Sequence, residues 1–124
     1  MIVQGIGVDI IEIQRIENSI KEFGNIFLNK IFTAKEIEYC QSKKNSAQHF
    51  AARFAAKEAV SKAIGSGWTN NFQWKHIEVL NNDSGLPTII LHDKLLDSFQ
   101  EFTFLLSLSH SEISAVAFVV MQKK

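Results

Sequence analysis

The chain has one cysteine, one proline and no excess charge of either sign, and each shortage removes a class of function. Cys40 alone cannot close an internal disulfide. With no second cysteine and no close histidine pair there is no zinc-like spacing either, so a reducing, cytoplasmic setting is expected. Thirteen Lys plus Arg balance thirteen Asp plus Glu, which excludes the global basic field that holds nucleic acid by counterion release. Any basic site has to be local. No apolar run is long enough to cross a bilayer, so no membrane role is expected. The opening MIVQGIGVDIIEI carries Asp9 and Glu12 inside its apolar stretch, without a basic leader or a small-residue cleavage site, and no secretory signal is expected. Repeats, low-complexity tracts and Pro/Gly-rich linkers are missing as well. The 124 residues are therefore expected to form a single domain spanning 1–124.

What is present suffices for a core: 46% of residues are hydrophobic and ten are Phe. The pattern is α+β. Residues 2–8 read as a strand, with a helix expected from Asp9 to about Phe23 and stopped by Gly24. Thr33 followed by Glu36 is a capping-box pair that opens a short helix to about Ser42. Ser46 is expected to cap the longest helix, 47–64, which is rich in alanine and closed by Gly65 and Gly67. In the second half, 76–80 and 88–91 read as strands around the turn-forming Asp83-Ser84-Gly85, with Pro87 at the entry to the second. Residues 93–100 suit a short helix. Residues 102–109 and 112–121 suit a closing hairpin turned at Ser109-His110-Ser111. The last strand, ISAVAFVVM, is apolar on both faces, so something has to cover each of them: the chain's own helices or another subunit.

The long helix carries the most chemistry. At about 100° per residue, Ala52, Ala56, Ala59, Val60 and Ala63 gather on one side and are expected to pack inward. Arg53, Lys57 and Ser61 form a column on the opposite side, with Glu58 and Lys62 beside it. That face admits two readings. One is a solvated face with an ordinary Glu58–Lys62 pair; the other is a carboxylate among cations, which suits a metal ion beside phosphates because both signs of charge need compensation there. Asp9, at the end of a strand whose glycines permit close approach, is either a helix cap or a functional carboxylate. His110, between two serines, is either a turn residue or a site residue. GIGVDI lacks the third glycine of a dinucleotide fingerprint, and GSG at 65–67 lacks the Lys-Ser/Thr of a phosphate loop, so both of those sites are excluded. No nucleophile elbow supports a Ser-His-Asp hydrolase.

Taken together, GIGVDIIEIQRIE at 5–17, FAARFAAKEAVSKAIGSG at 50–67, GLP at 85–87 and SLSHS at 107–111 resemble the ordered signatures of the holo-acyl-carrier-protein synthases, the short trimeric branch of the phosphopantetheinyl transferases. The likeness runs from about residue 2 to residue 120. It implies an α+β phosphopantetheinyl transferase-like fold, a small antiparallel-rich sheet packed on a long helix, assembled as a homotrimer with sites between subunits. It also implies transfer of 4'-phosphopantetheine from coenzyme A to a serine of apo-acyl carrier protein in fatty acid biosynthesis, with 3',5'-ADP leaving. By position, Asp9 and Glu58 are expected to hold Mg²⁺ together with the pyrophosphate of coenzyme A, and Lys62 to sit against the phosphates. Arg53 and His110 are expected near the 3'-phosphate, with Lys57, Ser61, Gly65 and Pro87 lining the coenzyme pocket. Arg15 matches the family arginine that faces the acidic carrier protein, and Lys21 is the only further cation on its helix. Glu12, Glu17 and Glu22 make this helix less basic than the family pattern, so docking is expected to lean on other cations such as Lys43 and Lys44. The alternatives are a non-catalytic carrier-protein-binding module of the same fold, or a broader carrier-domain transferase, which the short chain argues against.

Overall fold

The computed structural model describes residues 2–65 and 72–124. Its elements run β1 (Val3–Glu12), α1 (Ile13–Phe23), α2 (Asn25–Ile31), α3 (Ala34–Gln41), α4 (Ser46–Ile64), a 3₁₀ turn (Trp74–His76), β2 (Ile77–Asn81), β3 (Pro87–Leu91), α5 (Asp93–Phe99), β4 (Phe102–His110) and β5 (Ser114–Lys123). The strands form two antiparallel sheets: a three-stranded one ordered β1-β5-β4 and a two-stranded one, β2-β3. Helix α4 packs on all three strands of the larger sheet and also meets α1, α3 and β2. It is buried nearly all round: the expected inward stripe is inside, but so are Ala51, Ala55, Lys57 and Ser61.

Two starts differ from expectation. The first helix begins at Ile13, because Asp9 to Glu12 continue the strand and pair in register with Ala117 to Ser114 of β5. The β-branched pair Ile10 and Ile11 fits a strand with two environments: Ile11 is buried, whereas Ile10 lies on the outer face. Asp9 is therefore no helix cap. Ser46 is the first residue of α4, not its cap; Asn45 takes the cap position without a side-chain bond. Gly65 closes α4 in the left-handed conformation, φ 89°, as glycine readily does, while Gly67 lies outside the described residues. The Thr33–Glu36 capping box is present with both of its bonds, and α2, for which no element was expected, fills the segment before it.

The register of the larger sheet sorts its faces. Gly5, Gly7, Asp9 and Ile11 of β1 share the face toward α4 with Ala115, Ala117, Val119 and Met121 of β5, all four of which are buried. On the other face, Ile6, Val8 and Ile10 lie beside Val120, Phe118 and Val116, with Leu105 of β4 continuing the first row. Ile6, Val8, Ile10, Leu105 and Phe118 are all exposed, so the doubly apolar last strand is the central strand of a sheet whose outer side is an open apolar surface.

Two carboxylates tie the smaller sheet to the helices. The Glu36 side chain accepts from the Thr33 amide (2.9 Å) and the Val79 amide (2.9 Å), so the capping box of α3 is also a bond to β2. Glu78 accepts from the Thr33 hydroxyl and pairs with His92 at 2.9 Å. Burial alone would raise the Glu78 carboxyl, but these two partners outweigh it and hold it below its ordinary 4.5.

Candidate active site

Asp9 is delivered by close backbone packing. A Cβ on Gly5 would lie 2.0 Å from the carbonyl oxygen of Ala63, and one on Gly7 would lie 1.9 Å from that of Ala59. Only glycine permits this approach, and alternation then puts Asp9 on the same face two residues later. There the Lys62 ammonium bonds Asp9 Oδ1 at 3.1 Å and the Val8 carbonyl at 2.9 Å. Glu58, one turn before Lys62 on α4, is half-buried. Among the described residues no group of three or more His, Cys, Asp or Glu is arranged to hold a metal. A hard ion bound by only one or two carboxylates completes its shell with substrate phosphates and water, unlike a metal caged by protein alone.

The second group surrounds a cleft of about 330 Å³ on the β4 side of α4. Arg53, Pro87 and His110 line it with Tyr39, His49 and Asn81, and none of the described lining residues is acidic. Arg53 is only 3% exposed. Its guanidinium lies 4.3 Å from the centroid of the Tyr39 ring, and its Nη2 donates to Asn81 Oδ1 at 3.0 Å. Its buried Nε has no hydrogen-bond partner among the described residues, a costly arrangement that an acceptor on a ligand would relieve. Asn81 also donates to the Tyr39 hydroxyl and to the Gly85 carbonyl, both at 3.2 Å. It thereby holds the turn that presents Leu86 and Pro87. In that turn the Asn82 side chain accepts from the amides of Ser84 and Leu86.

His110 is not at a hairpin tip. It is the last residue of β4, paired with Ala115, and the turn follows it, closed by Ser111 Oγ accepting from the amides of Ile113 and Ser114 at 3.1 Å. The strand ladder thus fixes its backbone more firmly than a turn would.

Three residues expected to line the coenzyme pocket are not in the cleft. Ser61 is buried in the C-terminal half of α4, and Gly65 is exposed at its end. Lys57 is the larger correction. Its column does not face water: the side chain is fully buried, and its ammonium donates to Glu36 Oε1 (2.8 Å), the Trp74 carbonyl (3.2 Å) and the Ile77 carbonyl. These three acceptors match its three donors. Burial lowers its pKa, and the Glu36 carboxylate opposes that. The periodic pattern of α4 gave no sign of this, because the counter-ion comes from α3.

On α1, Arg15 is exposed, while Lys21 is engaged by Glu17 at 3.1 Å in an exposed pair worth about 0–1 kcal/mol. Tyr39, Asn81 and His49 had not been singled out from the sequence. The polar run before GLP hints at Asn81, whereas nothing local points to Tyr39.

Comparison with known proteins identifies the family in which this fold occurs. The family described as the 4'-phosphopantetheinyl transferase superfamily matches residues 5–117. The chain belongs to that superfamily. Among its transferases, a holo-[acyl-carrier-protein] synthase of Geotalea daltonii is 44% identical over 124 residues, covering 98% of this chain and 99% of that one. A crystal structure of a holo-(acyl-carrier-protein) synthase from Bacillus anthracis, in complex with CoA (3',5'-ADP), superimposes with a TM-score of 0.84 at 37% identity, covering 100% of both chains. The Helicobacter pylori holo-[acyl-carrier-protein] synthase, in complex with coenzyme A, gives a TM-score of 0.85 at 33% identity over 94% of this chain and 99% of that one.

The buried position of Lys57 in this transferase gives a direct test. Lys57→Met leaves the Glu36 carboxylate buried without its cation and should cost about 3–5 kcal/mol in urea unfolding. Lys57→Met combined with Glu36→Gln should recover part of that loss. Unchanged stability with a raised KM for coenzyme A would instead place Lys57 in the pocket.

Proposed function

We propose that residues 1–124 act as one holo-acyl-carrier-protein synthase domain, transferring 4'-phosphopantetheine from coenzyme A to a serine of apo-acyl carrier protein for fatty acid biosynthesis. The observation that carries this reading is the division of one helix. Lys62 meets Asp9 on its β1 side, with Glu58 one turn before Lys62, and Arg53 opens with His110 and Pro87 into a cleft with no acidic residue among its described lining. The first group suits a pyrophosphate and the second a phosphorylated nucleoside.

In the reaction the serine oxygen forms a bond to the β-phosphorus, the bond from that phosphorus to 3',5'-ADP breaks, and the serine proton is taken by a carboxylate. Lys62 reaches the phosphate oxygens as a point charge and stabilises or protonates the leaving phosphate. The proton is assigned to Glu58, directly or through a water. Asp9 and Glu58 would hold Mg²⁺, which supplies neutralisation of the charge that builds on the phosphates. Arg15, exposed on α1, is assigned to the acidic carrier protein, with Lys21 and the cations around Lys43 and Lys44 in support.

The working form is proposed to be a cytoplasmic homotrimer. Asp9 is on one edge strand of the sheet and His110 on the other, with β5 between them. A site drawing on both groups is then completed by a neighbouring copy, and the exposed apolar face of the sheet gives that copy a surface to cover. The cytoplasmic assignment fits Cys40, fully buried with its thiol pushed up by burial to about 12 and so unreactive. No helix among the described residues is long and apolar enough to cross a membrane.

Apo-acyl carrier protein, coenzyme A and Mg²⁺ incubated with the chain should yield holo-carrier protein by mass spectrometry. Asp9→Ala and Glu58→Ala should each lower turnover by about 100-fold or more while unfolding as the wild type does. A carrier protein that binds without gaining mass would leave a binding module, and full turnover of both variants with metal chelated would remove the metal assignment.

Sharing of the site between copies has its own test. Glu58→Ala and His110→Ala chains, each impaired alone, should regain about a quarter of wild-type activity when refolded together in equal amounts, because one interface in about four then pairs two intact halves. Activity equal to the average of the two separate variants would place the site within one chain.

A further inference from the structure

The cleft holds one more histidine than the proposed reaction uses. His49 lies on α4 one turn before Arg53 and lines the same cavity as Arg53 and His110. Its ring meets the ring of Tyr39 edge-on, with centroids 5.8 Å apart and planes at 78°. Tyr39 is pinned through its hydroxyl by Asn81, carries the Arg53 guanidinium 4.3 Å from its ring centroid and has the Lys43 ammonium at 4.8 Å. Basic side chains from α4, from the segment after α3 and from β4 therefore converge on one cavity and its aromatic wall. No carboxylate is among the described lining residues.

This crowding sets the charge of His49. Burial and, after it, the positive fields of Arg53, Lys43 and His110 all disfavour the imidazolium and lower its pKa from 6.5. In the free protein near neutral pH the ring is neutral. Such a group is sensitive to what enters the cleft, because a phosphate monoester carries about −1.5 to −2 charges near neutral pH and reverses the local field.

We propose that His49 is a specificity-determining residue of this cleft, which takes up a proton as a phosphate monoester binds between Arg53 and His110 and becomes a further cation holding it. The proposal rests on the reading of the cleft as the site of the phosphorylated nucleoside end of coenzyme A. The sign follows from linkage: a group whose pKa is higher in the complex than in the free protein strengthens binding as pH falls through the window between the two values. Ligands that place a phosphate monoester there gain affinity in that window. Ligands without one gain none, so discrimination between them sharpens toward lower pH.

The experiment is a ¹H–¹⁵N NMR titration of the imidazole rings in the 124-residue chain, free, with saturating 3',5'-ADP, and with adenosine, which has no phosphate, using His49→Gln to assign the resonance. The expected result is a His49 midpoint below 6.5 in the free protein, raised by about one pH unit or more by 3',5'-ADP and left in place by adenosine. One unit corresponds to about tenfold tighter binding below both midpoints than above them, a gain that His49→Gln should lose. If 3',5'-ADP shifts the His110 resonance but leaves the His49 midpoint unchanged, the proposal is overturned and the reading of the cleft stands. If 3',5'-ADP does not bind, both fail.

Discussion

The contact on which the rest depends is backbone against backbone: Gly5 and Gly7 of β1 lying on the carbonyls of Ala63 and Ala59 of α4. Two residues of strand advance roughly 6.6 Å and one four-residue step of helix roughly 6 Å, so alternate strand residues and successive helix turns meet in step. With no Cβ between them, the strand comes close enough for the next residue on that face, Asp9, to reach Lys62. The neighbouring β5 keeps the same face small with Ala115 and Ala117. That lets the helix settle on the middle of the sheet, and the acidic end of the site is a by-product of close packing.

The other end of the site depends on a different anchor. Lys57 lies one turn after Arg53 and is locked to Glu36 of α3, to the Trp74 carbonyl and to the carbonyl of Ile77, the first residue of β2. The same β2 supplies Asn81, which bonds Arg53, Tyr39 and the turn leading to Pro87. A buried ion pair adds little net stability compared with an apolar replacement, but it specifies which surfaces meet. Here it fixes the rotation of α4 against the smaller sheet, and with it the direction in which Arg53 and His49 face.

Much of this was legible locally. The Thr33–Glu36 pair, the alanine stripe, the glycine stop at Gly65 and the strand beginning at Pro87 are each decided by neighbours a few residues away, and each is in place. What misled was whatever a distant partner decides. Asp9 to Glu12 alternate in a way that suits either a helix start or a strand, and the ladder with β5 resolved it. Lys57 reads as a surface cation until Glu36 arrives from α3. Tyr39 carries no local signal and Asn81 only a faint one in the polar run before GLP, because their role is to hold Arg53 across two element boundaries. The resemblance of the motifs identified which residues to watch, but it did not reveal that Asp9 and His110 belong to opposite edges of one sheet.

The central claim is that close contact between β1 and α4 assembles the carboxylates proposed to hold the metal. The direct measurement is Mn²⁺ binding by electron paramagnetic resonance, in the presence of coenzyme A, for Gly7→Ala at a temperature where circular dichroism shows it folded. The added Cβ has to push β1 away from α4. The account predicts Mn²⁺ binding weaker by about tenfold or more, with 3',5'-ADP affinity at the Arg53 cleft little changed. Wild-type metal affinity in the folded variant would contradict it.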